Sequence, residues 1–217
     1  GTPPPAAAPA PAGGKLRLSV SKVARDRGRS VALTGARWRV RGTVTAFAEG
    51  QTVTVRFYRH GRKLLAKRLA IRRKRARGTF QLGYTSRKPG RITVRATHLA
   101  TAAQVKLVAR PARVDVLRAH TAAGSRGPVV RILQRRLAGM RYAVPLSGVF
   151  DDGTARAVIA YGKVNGLARL AVADSTVVHR VFRGVGTFRP RYPKHGKHVE
   201  ADLSRQVIAL IRGSKVQ

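Results

Sequence analysis

The chain has 217 residues, room for one large or two small domains, and its 43% hydrophobic content is that of a folded protein. Forty-five Lys and Arg stand against eight Asp and Glu, a formal charge of +37. With no cysteine, disulfides, Cys-ligated zinc and thiol nucleophiles are excluded within these residues, and no apolar run approaches the ~20 residues that a membrane-spanning helix needs.

The opening GTPPPAAAPAPAGG (1–14) reads as a semi-rigid Pro/Ala/Gly spacer. It has neither the charged start nor the apolar core of a signal peptide, and the absence of an initial Met is expected of a mature or trimmed product.

From Lys15 to about Arg110 the hydrophobic period is two. Leu16, Leu18 and Val20 alternate with polar residues, as do Val53, Val55 and Phe57, then Phe80, Leu82 and Tyr84, then Ile92, Val94 and Ala96. Turn signals separate the runs: His60-Gly61, and Lys88-Pro89-Gly90. With Trp38–Val44, KLLAKRLAI and Gln104–Ala109, about seven strands are predicted, the arithmetic of an antiparallel sandwich over 15–112. The order GQTVTVRFYRHGRKL … GTFQLGYTSRKPGRITVRATH resembles bacterial immunoglobulin-like (Ig-like) modules.

Near Pro111 the period changes. Pro128 sits just inside a helix start, where its missing N–H costs nothing, and Val130, Leu133 and Leu137 share one face. A second helix is predicted to start at the Asp151-Asp152 caps, to carry Ala157, Val158, Tyr161 and Val164, and to close at Gly166. A third begins at Asp174 or Ser175 and carries Val177, Val178, Val181 and Phe182, with Gly184 beyond it. Together they form a small three-helix bundle over 116–184.

After a basic linker over 185–197, alternation returns in HVEADLS and QVIALIRGSKVQ (198–217). A lone hairpin is marginal in water, so this segment is expected to be the truncated start of a larger β domain. The fold class expected is therefore multidomain: an all-β Ig-like sandwich, a small three-helix bundle and a C-terminal β-hairpin fragment.

The helical residues carry the most specific signal. Gly127, Val130, Leu133-Gln134 and Leu137, the loop Ser147-Gly148-Val149-Phe150, then Thr154, Ala157-Val158, Tyr161 and Gly166-Leu167 resemble the pattern of type-1 peptidoglycan-binding domains. The family writes the loop as DG.FG; here Ser147 stands for the Asp and Asp151 for the second Gly, and the aromatic–Gln pair of helix two reads Tyr161-Gly162. The resemblance implies peptidoglycan as partner. Its amides, hydroxyls and stem carboxylates would suit amide donors and Arg forks, which makes Gln134, Arg131, Arg135, Tyr142 and Asn165 the candidate ligand residues. Each of the five is equally at home as solvated surface.

HVEADLSRQVIALIRGSKVQ resembles the first hairpin of an L,D-transpeptidase catalytic domain, and its position after the helical module and the linker TFRPRYPKHGKH matches the order of such enzymes. That family uses a Cys nucleophile further downstream. The resemblance implies a secreted, extracytoplasmic protein of cell-wall cross-linking, of which these residues are the targeting part and, lacking Cys, inactive by themselves.

No other chemistry is framed. Asp151-Asp152 reads as helix capping rather than an acid/base pair, His195-x-x-His198 lacks a third ligand, no G-x-S-x-G frames a serine, and the glycines of AAGSRG and RGVGTF lack the context of a phosphate loop. No cofactor or metal is expected. The charge attracts polyanions, nucleic acid first and then anionic wall polymers and peptidoglycan stem carboxylates. Anionic wall polymers are a further candidate partner, and no specific nucleic acid is expected. The alternative function is non-specific binding of nucleic acid or another polyanion. Thirty-four of the bases are Arg, and 26 bases with 2 acids precede Pro111 against 19 with 6 after it. They are spread along the chain rather than gathered in a block, as codon bias toward Arg would also produce. The densest patch, Arg72-Arg73-Lys74-Arg75 with Arg77, lies between predicted strands.

Overall fold

A computed structural model describes residues 11–217; most of the expected spacer 1–14 lies outside them. In chain order the strands before the first helix are β1 (Leu16–Ser21), β2 (Ala24–Asp26), β3 (Arg29–Leu33), β4 (Arg37–Val44), β5 (Thr52–Arg59), β6 (Arg62–Ala70), β7 (Arg72–Lys74), β8 (Arg77–Thr85), β9 (Gly90–His98), β10 (Leu107–Val108) and β11 (Ala112–Leu117). Then come α1 (Pro128–Gly139), α2 (Asp152–Asn165), α3 (Ser175–Phe182), β12 (Lys197–Asp202), β13 (Val207–Arg212) and β14 (Lys215–Val216). The protein is β-rich, with several sheets and three helices. It divides into two compact units: 11–23 with 29–116, and 24–28 with 117–217.

In the first unit one sheet runs β1-β4-β8-β7 and a larger one runs β3-β11-β9-β5-β6, with β10 on β9. The alternation read in the sequence decides which side each residue faces. Trp38, Val40 and Val44 from one sheet, and Val53, Val55, Phe57, Ile92, Val94 and Ala96 from the other, share one buried core. The Phe57 and Tyr84 rings stack at 4.2 Å, and Trp38 meets Tyr84 edge-on at 5.4 Å. Four strands go beyond the expectation. β3 has Ser30 to Leu33 all buried, so it shows no alternation to detect. β11 lies between β3 and β9 in the middle of the larger sheet, with Val114 and Val116 at 0% and 1% exposure, although the sequence reading stopped short of it at Arg110. β2 and β7 are three-residue strands dominated by charge.

The second unit holds the helices. Asp151 caps α2, its side chain accepting from Thr154 N, and Asp174 caps α3 by accepting from Val177 N. Gly166 closes α2 in the left-handed conformation, and Pro128 opens α1. Val130, Leu133 and Leu137 of α1, Ala157, Val158 and Tyr161 of α2, and Val177, Val178 and Val181 of α3 are all buried. The lead-in strand segment is tied to the loops before the helices: Thr121 and Ala173 exchange two backbone hydrogen bonds of 3.0 Å, and Phe150 N donates to Ser125 O at 2.8 Å.

The C-terminal hairpin β12–β13 gains a third antiparallel strand, β14. Its buried side carries Ala209 and Ile211, with Glu200, while Val199, Ile208 and Leu210 are 60%, 73% and 60% exposed. Residues 185–197, read as a linker, are held at both ends. Tyr161 and Tyr142 donate to Val185 O and Gly186 O, and the amides of Arg191 and Tyr192 donate to Glu200.

Candidate functional site

The five residues singled out in the sequence fall into three clusters within the second unit. Gln134 is 1% exposed, and its amide is spent on the neighbouring loop. Its Oε1 accepts from Gly148 N at 2.8 Å, and its Nε2 donates to Val149 O and Thr154 Oγ1 at 2.8 Å each, and to Ser147 Oγ at 3.2 Å. Ser147 donates in turn to Asp151 Oδ2 at 2.7 Å. That bond, followed by those from Thr154, holds the Asp151 carboxyl below its ordinary pKa. A helix-borne amide thus supplies the donors and acceptor that fix the Ser147–Asp151 turn, and Ser147 with Asp151 closes it where the family pattern carries Asp and Gly.

Arg131 and Arg135, one helical turn apart on α1, converge on Asp26. Arg131 Nη2 donates to Asp26 Oδ2 at 2.6 Å and its Nε reaches both carboxylate oxygens at 3.2 Å. Arg135 donates to Oδ1 at 3.1 Å from two nitrogens and to Arg25 O at 2.8 Å. Asp26 is 3% exposed, against 24% and 46% for the two Arg side chains. The Arg131 hydrogen bond holds the Asp26 pKa below the usual carboxylate range; burial opposes this and Arg135 adds to it. The Arg131 stem also runs beside Gly148, so the first and second clusters adjoin. Nothing in the local sequence pointed to Asp26, since it lies 105 residues from Arg131; the only hint was that acids are so few.

Tyr142 and Asn165 form the third cluster. Tyr142 OH donates to Gly186 O at 2.5 Å, and Asn165 Nδ2 donates to Tyr161 O at 2.9 Å, Gly186 O at 3.0 Å and Tyr142 OH at 3.3 Å. Asn165 Oδ1 accepts from Arg180 at 3.2 Å. Burial pushes the Tyr142 phenol well above its ordinary pKa, so it stays a neutral donor. Gly186 adopts φ +113°, and a Cβ there would meet the Tyr161 ring at 2.7 Å and Asn165 Oδ1 at 2.6 Å, so only glycine fits.

An open hollow of the second unit lies elsewhere. It measures about 780 Å³ and is lined by Arg189, Tyr192, Glu200, Asp202, Leu203 and Arg205 among others. Glu200, 8% exposed, accepts from the Arg191 and Tyr192 amides at 2.8 Å each and faces His198 Nε2 at 3.1 Å. Burial raises its pKa, but these hydrogen bonds outweigh burial and hold it below the ordinary value. The Glu200 bond raises that of His198. Among the described residues no three of His, Asp and Glu gather as metal ligands, and no helix is long and apolar enough to cross a membrane.

Residues 126–175 match the family described as "Putative peptidoglycan binding domain". No curated protein sequence matches the chain. Among solved structures, an L,D-transpeptidase fragment from Xylanimonas cellulosilytica is 32% identical over 45% of this chain, with a TM-score of 0.41. The match spans 47% of that fragment. The CARDB domain of the PF1109 protein from Pyrococcus furiosus is 16% identical over 48% of this chain and 93% of its own, TM-score 0.34. A superoxide reductase from Ignicoccus hospitalis is 12% identical over 47% and 80%, TM-score 0.31.

Proposed function

We propose that this chain is the wall-targeting part of a secreted L,D-transpeptidase-like protein and that its helical bundle binds peptidoglycan. The observation that carries the reading is the family match over 126–175, which covers α1, α2 and the Gln134-braced turn between them. Residues 15–112 we read as an Ig-like β-sandwich that presents or spaces the bundle. Residues 198–217 we read as the opening of an L,D-transpeptidase-like β domain, a reading in keeping with the bare apolar side of β12 and β13. Cross-linking in that family needs a thiolate; this chain has no Cys, so its part is attachment rather than acyl transfer. The location that follows is extracytoplasmic, in the wall or periplasmic space.

The five candidate residues divide the work. Gln134 holds the Ser147–Asp151 turn, and Tyr142 with Asn165 holds the segment after α3. Arg135, whose side chain is 46% exposed, together with Arg131 beside the turn, offers guanidinium to a stem carboxylate.

Co-sedimentation with peptidoglycan stripped of anionic polymers, over rising salt and beside double-stranded DNA, tests this. Retention on stripped peptidoglycan that survives salt, and falls several-fold in Arg135→Ala, is the expected result. Binding confined to DNA and lost steeply as salt rises would leave only the charge-driven alternative.

A further inference from the structure

The outer side of the β1-β4-β8-β7 sheet carries a row of arginines that the peptidoglycan reading does not use. On β4, Trp38, Val40, Gly42 and Val44 face inward and are buried, so Arg37, Arg39 and Arg41 all project outward. The register sets Arg37 opposite Thr85, Arg39 opposite Ser21 and Gly83, and Arg41 opposite Ser19 and Gln81, with Arg17 opposite Thr43. That side therefore holds hydroxyls, an amide, glycine and guanidinium, with neither a carboxylate nor an aromatic ring among the residues in register. None of the three β4 arginines forms an ion pair among the described residues. Arg37 lies against Gly83, where a Cβ would meet its Nε at 2.6 Å. At the Arg41 end the row borders a hollow of about 870 Å³ lined by Arg72, Lys74, Thr79 and Gln81 and, on its apolar side, by Leu69 and Phe80.

Three like charges on neighbouring outward positions of a central strand repel one another, and this costs stability unless an anion lies across them. Alternate residues of a strand repeat every ~6.8 Å, that is, every six backbone bonds. A polymer with one phosphodiester per six backbone bonds repeats at roughly the same length when extended, because bond lengths and angles are similar. Such a polymer laid along β4 sets one phosphate against each guanidinium, which can grip it with two N–H groups. Nucleic acid shares this spacing, but its readers without sequence preference add exposed aromatic rings for the bases; the row has none, and Phe80 in the adjoining hollow is buried, at 6% exposure. On the larger sheet the outward arginines Arg56, Arg68, Arg95 and Arg113 are spread over four strands rather than strung along one. There Tyr58 is covered by Arg95, 5.2 Å from its centroid, and Asp115 pairs with Arg91.

We infer that Arg37, Arg39 and Arg41, with the basic hollow beyond Arg41, bind an extended, base-free polyol-phosphate polymer. The site lies wholly in the first unit and does not depend on the bundle binding peptidoglycan.

The test titrates the full chain with synthetic poly(glycerol phosphate), and with poly(dT) in parallel, over a range of salt. The variant Arg37→Ser/Arg39→Ser/Arg41→Ser is compared with a charge-matched control on the larger sheet, Arg56→Ser/Arg68→Ser/Arg113→Ser. The row variant should lose at least tenfold in affinity for poly(glycerol phosphate), with its salt slope reduced by about 2 for three lost phosphate contacts. The control should lose no more than about threefold by the weakened overall field. Equal losses in the two variants would overturn the inference in favour of bulk charge. Tighter binding of poly(dT), abolished by the same row variant, would overturn it in favour of single-stranded nucleic acid. Should the serine variant fail to fold, Arg37→Lys/Arg39→Lys/Arg41→Lys keeps the charge and removes the fork. Its affinity is expected to drop several-fold, and wild-type affinity would refute a fitted arginine row.

Discussion

Gln134 illustrates how little a residue type says about its job until its surroundings are known. An amide on a helix next to a family loop looks like a ligand donor, yet both ends of this amide are consumed by the turn it braces. Gln134→Leu keeps the volume but strands Gly148 N and takes one donor from Val149 O and Thr154, which keep Ser147 and Asp151 as partners, so unfolding of the bundle should become easier by roughly 2 kcal/mol, read from denaturant titration. Asp26 is the complementary case. An ordinary acid in sequence, it is buried between two arginines, and Asp26→Asn should cost about 2 kcal/mol, below the figure for a fully buried pair because both guanidiniums keep contact with water. Glu200 and His198 set a pH window. A carboxyl whose folded pKa is lowered contributes stability above its unfolded value and loses it as pH falls through the folded one. A histidine whose folded pKa is raised contributes below its ordinary value and loses it as pH rises through the raised one. The amide NMR signals of Arg191 and Tyr192 should therefore hold steady in mildly acidic solution and shift on either side. Invariance down through the carboxylate range would show that Glu200 does not hold this segment.

The three helices were legible because their signals are local. A cap spans three residues, as from Asp151 to Thr154 or Asp174 to Val177, and Pro128 and Gly166 act on their own backbone. Asp151→Ala removes both the α2 cap and the partner of Ser147, and should lower the melting temperature of the bundle by several degrees, an effect of about 1–2 kcal/mol in calorimetry. Strands were legible only where one side is wet. β4, β5 and β9 alternate cleanly, whereas β3 is buried almost throughout and leaves no period to read. β11 does alternate, through Val114 and Val116, but the proline and helix signals around it drew the boundary too early. In the C-terminal sheet the alternation was visible, yet the chain alone did not say that Glu200 would face inward and Val199 outward. That choice is made by the amides of Arg191 and Tyr192, which repay the burial of the carboxylate.

For the molecule as a whole, charge dominates. With 45 bases and 8 acids, self-repulsion outweighs the few ion pairs, so raising salt should raise the melting temperature by a few degrees, opposite to a protein held by surface salt bridges. Scanning calorimetry at low and high ionic strength checks the sign. The amino-acid sequence by itself determined the charge, the absence of thiol chemistry, the β-rich half, the three capped helices and the resemblance that the family match over 126–175 independently meets. These rest on composition or on contacts a few residues long, which a linear reading can see. Tertiary structure alone decided that Asp26 belongs with α1, that Gln134 and Asn165 brace segments rather than stand free, that 185–197 is fastened, and that three arginines on β4 stand in a row on one side of a sheet, with no ion pair among the described residues. Each of these depends on which distant residue arrives opposite, and that is fixed by burying one continuous core rather than by any local preference.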